Sequence, residues 1–200
     1  MTFVGINGFG RIGKSVFIQL LGHKTLKLKA INAPNFKLEN IASYLENDST
    51  HQYSKNWSIE IINESTFSIN GQVIYLLNNR DASLLNWKSY DIHYVIDSTG
   101  AYLTQDKCST HNVDYVIMCA PPKDNSPQFV VNVNQEKYNG EKIISNASCT
   151  TNCICPVLGF LEKNYGIQKA NFTTIHATTA SQHTIDTNHF NNRTSRSIIN

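Results

Sequence analysis

Blocks of like charge, long apolar runs and paired cysteines are all missing from this 200-residue chain, and each absence excludes a class of function. Lysine and arginine number 17 against 15 aspartates and glutamates, for a net charge of +2 with histidine neutral. With no basic run, there is no electrostatic footprint for nucleic acid. The longest apolar runs, such as "YVIMCA", fall far short of the roughly 20 residues that a membrane-spanning helix needs. The opening "MTFVGING" enters a strand-like segment at once, lacking the charged and apolar regions of a secretory signal. That predicts a cytoplasmic protein with reduced thiols. The five cysteines (Cys108, Cys119, Cys149, Cys153 and Cys155) are odd in number, so no disulfide framework is expected. Their spacings, C-x-x-x-C and C-x-C, do not suit structural zinc, and the next histidine comes only at position 176. No metal is expected.

The chain does have enough apolar material for a real core. At 40% hydrophobic and 16% charged residues it reads as one large domain, or one complete domain and part of another. Apolar strand-like runs at 3–7, 26–32, 92–100, 114–120 and 141–148 alternate with helical patterns at 14–22, 39–47 and 149–166. Between them, "WSIEIIN", "TFSIN" and "QVIYLLN" form a strand-rich stretch with a hairpin signal at Asn70-Gly71. "ANFTTIHATTA" (170–180) is β-branched and predicts a strand, and 181–200 reads as a long polar loop. Strands alternating with helices imply an α/β fold with a doubly wound, mostly parallel sheet.

Directly after the first strand comes "GINGFGRIG", which holds G-x-G-x-x-G at Gly8, Gly10 and Gly13 and opens a helix. In that setting the first glycine permits a tight turn, the second lets a pyrophosphate approach the backbone, and the third lets helix and strand pack closely. The helix N-terminus offers N–H groups and the positive end of its dipole to the anion. A dinucleotide is the expected ligand. The acid that should follow about 20 residues later is missing, since no Asp or Glu lies between Gly13 and Glu39. Either Asn32 or backbone groups hold the ribose, or discrimination between NAD and NADP is relaxed.

"SNASCTTNC" (145–153) places Cys149 where a strand ends and a helix begins. A thiol there feels the positive end of the helix dipole, which favours thiolate. Cys153, one turn on, is expected to be half-buried packing, and Cys108, Cys119 and Cys155 are read as small hydrophobes. His176, in "TTIHATTA", is the candidate partner of a nucleophilic Cys149.

"INGFGRIG", "NDSTH" (47–51), "STG" (98–100), "SNASCTTNC" and "HATTASQ" (176–182), in this order and spacing, resemble phosphorylating glyceraldehyde-3-phosphate dehydrogenases over essentially the whole chain. The resemblance implies a Rossmann-type cofactor domain over 1–148 and the beginning of an α+β catalytic domain over 149–200. It implies oxidation of glyceraldehyde 3-phosphate with inorganic phosphate and NAD, in a homotetramer when the chain is full length, and the missing acid after the second strand predicts that NADP is tolerated. Cys149 would be the nucleophile and His176 the base. Asn7, Gly8, Phe9, Gly10, Arg11, Ile12, Asn32, Arg80, Ser98, Thr99 and Cys119 would line the cofactor. Ser148 and Thr150 would hold the attacking phosphate, and Thr179 the substrate's phosphate.

Two residues depart from the family pattern: Ala33 stands where an acid is usual, and Cys119 where serine or threonine is usual. Family members are also longer, and the chain is expected to be a fragment or a naturally shortened form. Erythrose-4-phosphate dehydrogenase is the near alternative, and a non-catalytic nucleotide-binding protein the more distant one.

Overall fold

Eight strands form one sheet in the computed structural model, which describes residues 1–51, 56–179, 182, 183 and 197. The chain divides into two compact units, Met1–Asn164 and Tyr165–Asn200, and the whole sheet lies in the first. The strands are β1 (Thr2–Asn7), β2 (Leu26–Asn32), β3 (Ile59–Asn63), β4 (Thr66–Ile69), β5 (Gln72–Leu77), β6 (Tyr94–Asp97), β7 (Tyr115–Met118) and β8 (Ile143–Ser145). Across the sheet they run β3-β4-β5-β2-β1-β6-β7-β8. From β5 to β8 every neighbour is parallel, whereas β3, β4 and β5 form an antiparallel meander at one edge. Asn70 and Gly71, both with positive φ, close the hairpin between β4 and β5, as the sequence signal predicts.

Helix α1 (Arg11–Leu21) returns the chain from β1 to β2. Its residues Gly13, Lys14, Phe17 and Leu20 recur at three- and four-residue spacing and are buried. Phe17 joins Val4, Ile6, Leu28, Ile31 and Phe67 in the main apolar cluster. Burial of side chains this size is worth about 1.5–3 kcal/mol each. A second cluster, centred on Trp87, Ile92 and Val95, includes Ala30 and Ala82. Short α2 (Ile41–Glu46) and α3 (Gln105–Ser109) complete the core, and α4 (Cys149–Tyr165) follows β8. No helix among the described residues is long and apolar enough to cross a membrane.

Two sequence expectations fail here. Residues 170–179 are irregular and exposed rather than a strand. A β-branched run becomes a strand only against a hydrogen-bonded neighbour, and no strand is assigned among the described residues of its own unit. Cys153 is exposed rather than half-buried, because α4 buries none of its side chains. Of the expected loop at 181–200, all but Gln182, His183 and Ser197 lies outside the described residues.

Candidate functional site

A parallel sheet sends every loop that follows a strand out of the same edge, and ligands bind there where the strand order reverses. That reversal falls at β1, between β2 and β6. The turn after β1 is tight. Gly8, at φ +92°, donates its N–H to the Asn32 carbonyl at 2.9 Å, and Ser98 Oγ donates to the Gly8 carbonyl at 2.7 Å. A Cβ on Gly13 would stand 2.0 Å from the Gly8 oxygen, so helix and turn touch only because this residue is glycine. Gly10 differs: a Cβ there meets nothing within 4 Å, which leaves open space over the first turn of α1. That helix begins with no side-chain cap and no acidic residue. An approaching phosphate therefore finds main-chain donors, a favourable dipole and no competing carboxylate. These residues fit a dinucleotide.

Phe9 does not present its ring to the opening. It is 7% exposed and packs edge-on against Phe17 and Phe36, while its carbonyl accepts the Tyr44 hydroxyl at 2.7 Å. Arg11 and Ile12 are exposed at the helix start. Tyr44 lies beside a buried ion pair, Lys14 Nζ to Asp48 Oδ2 at 2.6 Å, and Lys14 also donates to the Tyr44 carbonyl. The Lys14 ammonium and the N–H groups of His51 and Thr50 hold the Asp48 carboxyl well below the usual range. This clamp on the glycine turn went unread in the sequence, although Asp48 falls inside the "NDSTH" motif.

Beside the turn lies a cleft of about 340 Å³ lined by Asn7, Asn32, Asn79, Arg80, Thr99 and Tyr102, among others. Asn32 reaches it as part of the protein's own bonding: its amide nitrogen donates to Asn7 Oδ1 and to the Asn79 carbonyl, both at 2.7 Å. Its oxygen accepts the Asn79 N–H at 3.0 Å. Both donors are used, so its side chain straps the loop before Arg80 and has no N–H left for a ribose. Tyr102 steadies the same loop, its hydroxyl donating to the Arg80 carbonyl at 3.0 Å. Ala33, 6% exposed, sits in the main core cluster.

Ser98 and Thr99 follow β6, Cys119 follows β7, and Ser148, Cys149 and Thr150 follow β8, all at the same sheet edge as the glycine turn. Burial, with Asp97 adding to it, pushes the Cys119 thiol up to about 11. Cys149 is the first residue of the 17-residue α4 and is exposed. Ser148 caps the helix, its Oγ accepting the Thr151 N–H at 3.0 Å, an arrangement worth about 1 kcal/mol. Its hydroxyl also contacts those of Thr150 and Thr151 at 3.0 and 2.7 Å. Just before it, Ala147 holds φ +56°, which costs about 1–2 kcal/mol and aims the chain into the helix.

His176 and Thr179 belong to the second unit, where both are exposed. His176 Nδ1 lies 2.6 Å from the Ala177 carbonyl, and Thr179 and Gln182 exchange two hydrogen bonds.

Residues 2–105 match the model of the glyceraldehyde 3-phosphate dehydrogenase NAD-binding domain. The chain belongs to the glyceraldehyde-3-phosphate dehydrogenase family. Residues 148–200 match the C-terminal domain of the same family. Among its relatives, glyceraldehyde-3-phosphate dehydrogenase 1 of Schizosaccharomyces pombe is 45% identical over 187 residues, covering 92% of this chain and 55% of that protein. The cytosolic enzyme of Leishmania mexicana is 41% identical over 189 residues, covering 93% of this chain and 56% of that one. Glyceraldehyde-3-phosphate dehydrogenase 2 of Bacillus subtilis is 38% identical over 199 residues, covering 96% and 57%. The chain thus spans a little over half the length of these relatives.

Proposed function

We propose that this chain carries the cofactor site and the catalytic cysteine of an enzyme that oxidises glyceraldehyde 3-phosphate to 1,3-bisphosphoglycerate with NAD and inorganic phosphate. The observation that carries this reading is that the open glycine turn after β1 and the capped, exposed Cys149 after β8 leave the same edge of the parallel part of one sheet. Residues 1–148 form the dinucleotide domain, and 149–200 begin the catalytic domain.

Asn7, Gly8, Phe9, Gly10, Arg11 and Ile12 hold the pyrophosphate region through the turn and the start of α1. Asn32 and Arg80 border the adenosine half, and Ser98, Thr99 and Cys119 the nicotinamide half. NAD, when bound, supplies the hydride acceptor. The Cys149 sulfur attacks the aldehyde carbon, its proton passing to His176, and the carbonyl electron pair moves to oxygen. The N–H of Cys149 steadies that oxyanion. After oxidation the acyl group remains on sulfur as a thioester. A phosphate oxygen held by Ser148 and Thr150 then attacks the carbonyl carbon, and the C–S bond breaks to return Cys149. Thr179 holds the phosphate of the substrate. With Ala33 in place of an acid, NAD is the main cofactor and NADP is tolerated. A homotetramer in the cytoplasm is the proposed setting, two relatives being named cytosolic and one chloroplastic.

Mass spectrometry of protein mixed with glyceraldehyde 3-phosphate and NAD, without phosphate, tests this. An acyl adduct is expected on Cys149 alone, to disappear when phosphate is added. Cys149→Ser should give no adduct while still binding NAD. An adduct on another cysteine, or one formed without NAD, contradicts the reading.

A further inference from the structure

Beneath the cleft runs a chain of side-chain amides whose direction is fixed at both ends. At one end the Asn79 main chain meets Asn32, donating its N–H to Oδ1 at 3.0 Å and accepting from Nδ2 at 2.7 Å. The second N–H of Asn32 goes to Asn7 Oδ1 at 2.7 Å. Asn7 must then turn its amide nitrogen the other way, and it donates to Asp97 Oδ2 at 2.7 Å. An ionised carboxylate only accepts, so the chain ends there and cannot run in reverse. All the other bonds of the Asp97 carboxylate are incoming too. Its Oδ1 takes the Thr99 N–H at 3.0 Å and the Thr99 hydroxyl at 2.7 Å, and Oδ2 also meets His111 Nε2 at 3.1 Å.

His111 is itself held from behind. Trp87 Nε1, which can only donate, points at His111 Nδ1 at 3.3 Å. Nδ1 must accept, so the ring hydrogen sits on Nε2, facing Asp97. Asn7, Asp97, His111 and Trp87 are each at most 2% exposed. A buried carboxylate with four donors around it is a costly thing to maintain for packing alone. One consequence reaches the cleft: Asn7 lines it, and its second amide N–H has no partner among the described residues.

We propose that Asp97, backed by His111 and Trp87, is a positioning residue of the dinucleotide cleft. As the acceptor-only end of the chain, it holds the Asn7 amide in the direction that Asn79 and Asn32 dictate and keeps one Asn7 N–H available to an oxygen of the ligand. An asparagine at position 97 puts either an NH2 group or a single oxygen against Asn7, and the NH2 orientation sets two donors against each other, because the Asn79 main chain keeps Asn32 from turning over. The proposal rests on the cleft being a dinucleotide site.

The test uses ADP-ribose, which lacks the nicotinamide, titrated calorimetrically into wild type and Asp97→Asn. A folded Asp97→Asn that binds at least tenfold more weakly is the expected result, and affinity within twofold of wild type overturns the proposal. Nitrogen-15 NMR of the wild-type side-chain amides gives a second readout that does not depend on the variant folding. One Asn7 amide hydrogen should exchange slowly with solvent, and the Asn7 signals should shift as ADP-ribose saturates. Saturable binding that leaves those signals in place, or fast exchange of both hydrogens, sinks the proposal. If wild type binds no ADP-ribose at all, the cleft assignment itself is what fails.

Discussion

Five thiols compete for an alkylating reagent, and their surroundings rank them. Burial pushes Cys108 up to about 12 and Cys119 up to about 11, with Asp97 adding to both. Neither carries appreciable thiolate near neutral pH. Cys149 is exposed at the first residue of α4, where the helix dipole favours the anion, and Cys153 is exposed one turn further in. Iodoacetamide at pH 7 should therefore label Cys149 first, as read by peptide mapping after a brief exposure. Raising the pH should bring in Cys119 before Cys108. Labelling led by Cys153 would remove the nucleophile assignment. Ala33 makes the second residue-scale prediction. Its methyl lies in the core cluster, so the carboxylate of Ala33→Asp must either reach the cleft or be buried without a partner. The variant should melt lower without cofactor, while its preference for NAD over NADP rises by roughly one to two powers of ten through charge-assisted bonds to the ribose. Titrating both cofactors decides it, and an unchanged ratio means that this position does not face the ribose.

Among the elements, the glycine turn separates packing from binding, because its glycines are glycine for different reasons. Gly13→Ala drives a methyl into the Gly8 carbonyl and the Ser98 hydroxyl, and should cost about 1–3 kcal/mol, or roughly 2–12 °C in melting temperature. Gly10→Ala meets nothing, and its φ of −82° suits any residue. It should melt like wild type yet bind NAD at least tenfold more weakly, since the methyl occupies the space over the helix start. Loss of stability in Gly10→Ala would mean that this space is not open. The glycine turn was legible in the sequence because its signal is local, as were β2 at 26–32 and the Asn70-Gly71 hairpin. Residues 170–179 misled because β-propensity describes a fit to a neighbouring strand and cannot say whether one is present. Asp97 with Asn7, and Lys14 with Asp48, were illegible for a related reason. Their partners lie 90 and 34 residues apart, and only the folded chain brings them together.

For the molecule as a whole, acid should act first through its aspartates. Asp48, Asp81, Asp114 and Asp124 all sit below their ordinary value, held mainly by hydrogen bonds from Lys14, Ser83, His93 and Ser126 respectively. A depressed carboxyl stabilises the fold fully above the unfolded value near 4, and the contribution fades as pH falls through the folded value. Melting temperature should therefore decline steadily below about pH 4. Asp48→Asn should melt lower than wild type at pH 7, with the gap narrowing as acid is added. A gap that stays constant with pH would show that the Lys14–Asp48 pair contributes through shape alone. The strand order also has a consequence in time. β1 is made first yet lies between β2 and β6, so Asn7 waits for Asp97. At about 5–20 residues per second of synthesis, that wait lasts roughly 5–18 seconds. During it one edge of β1 is open, an invitation to wrong pairing that topology alone makes slow to close. A chaperone that shields extended apolar segments would find its substrate here, in a strand whose final place is the centre of the sheet.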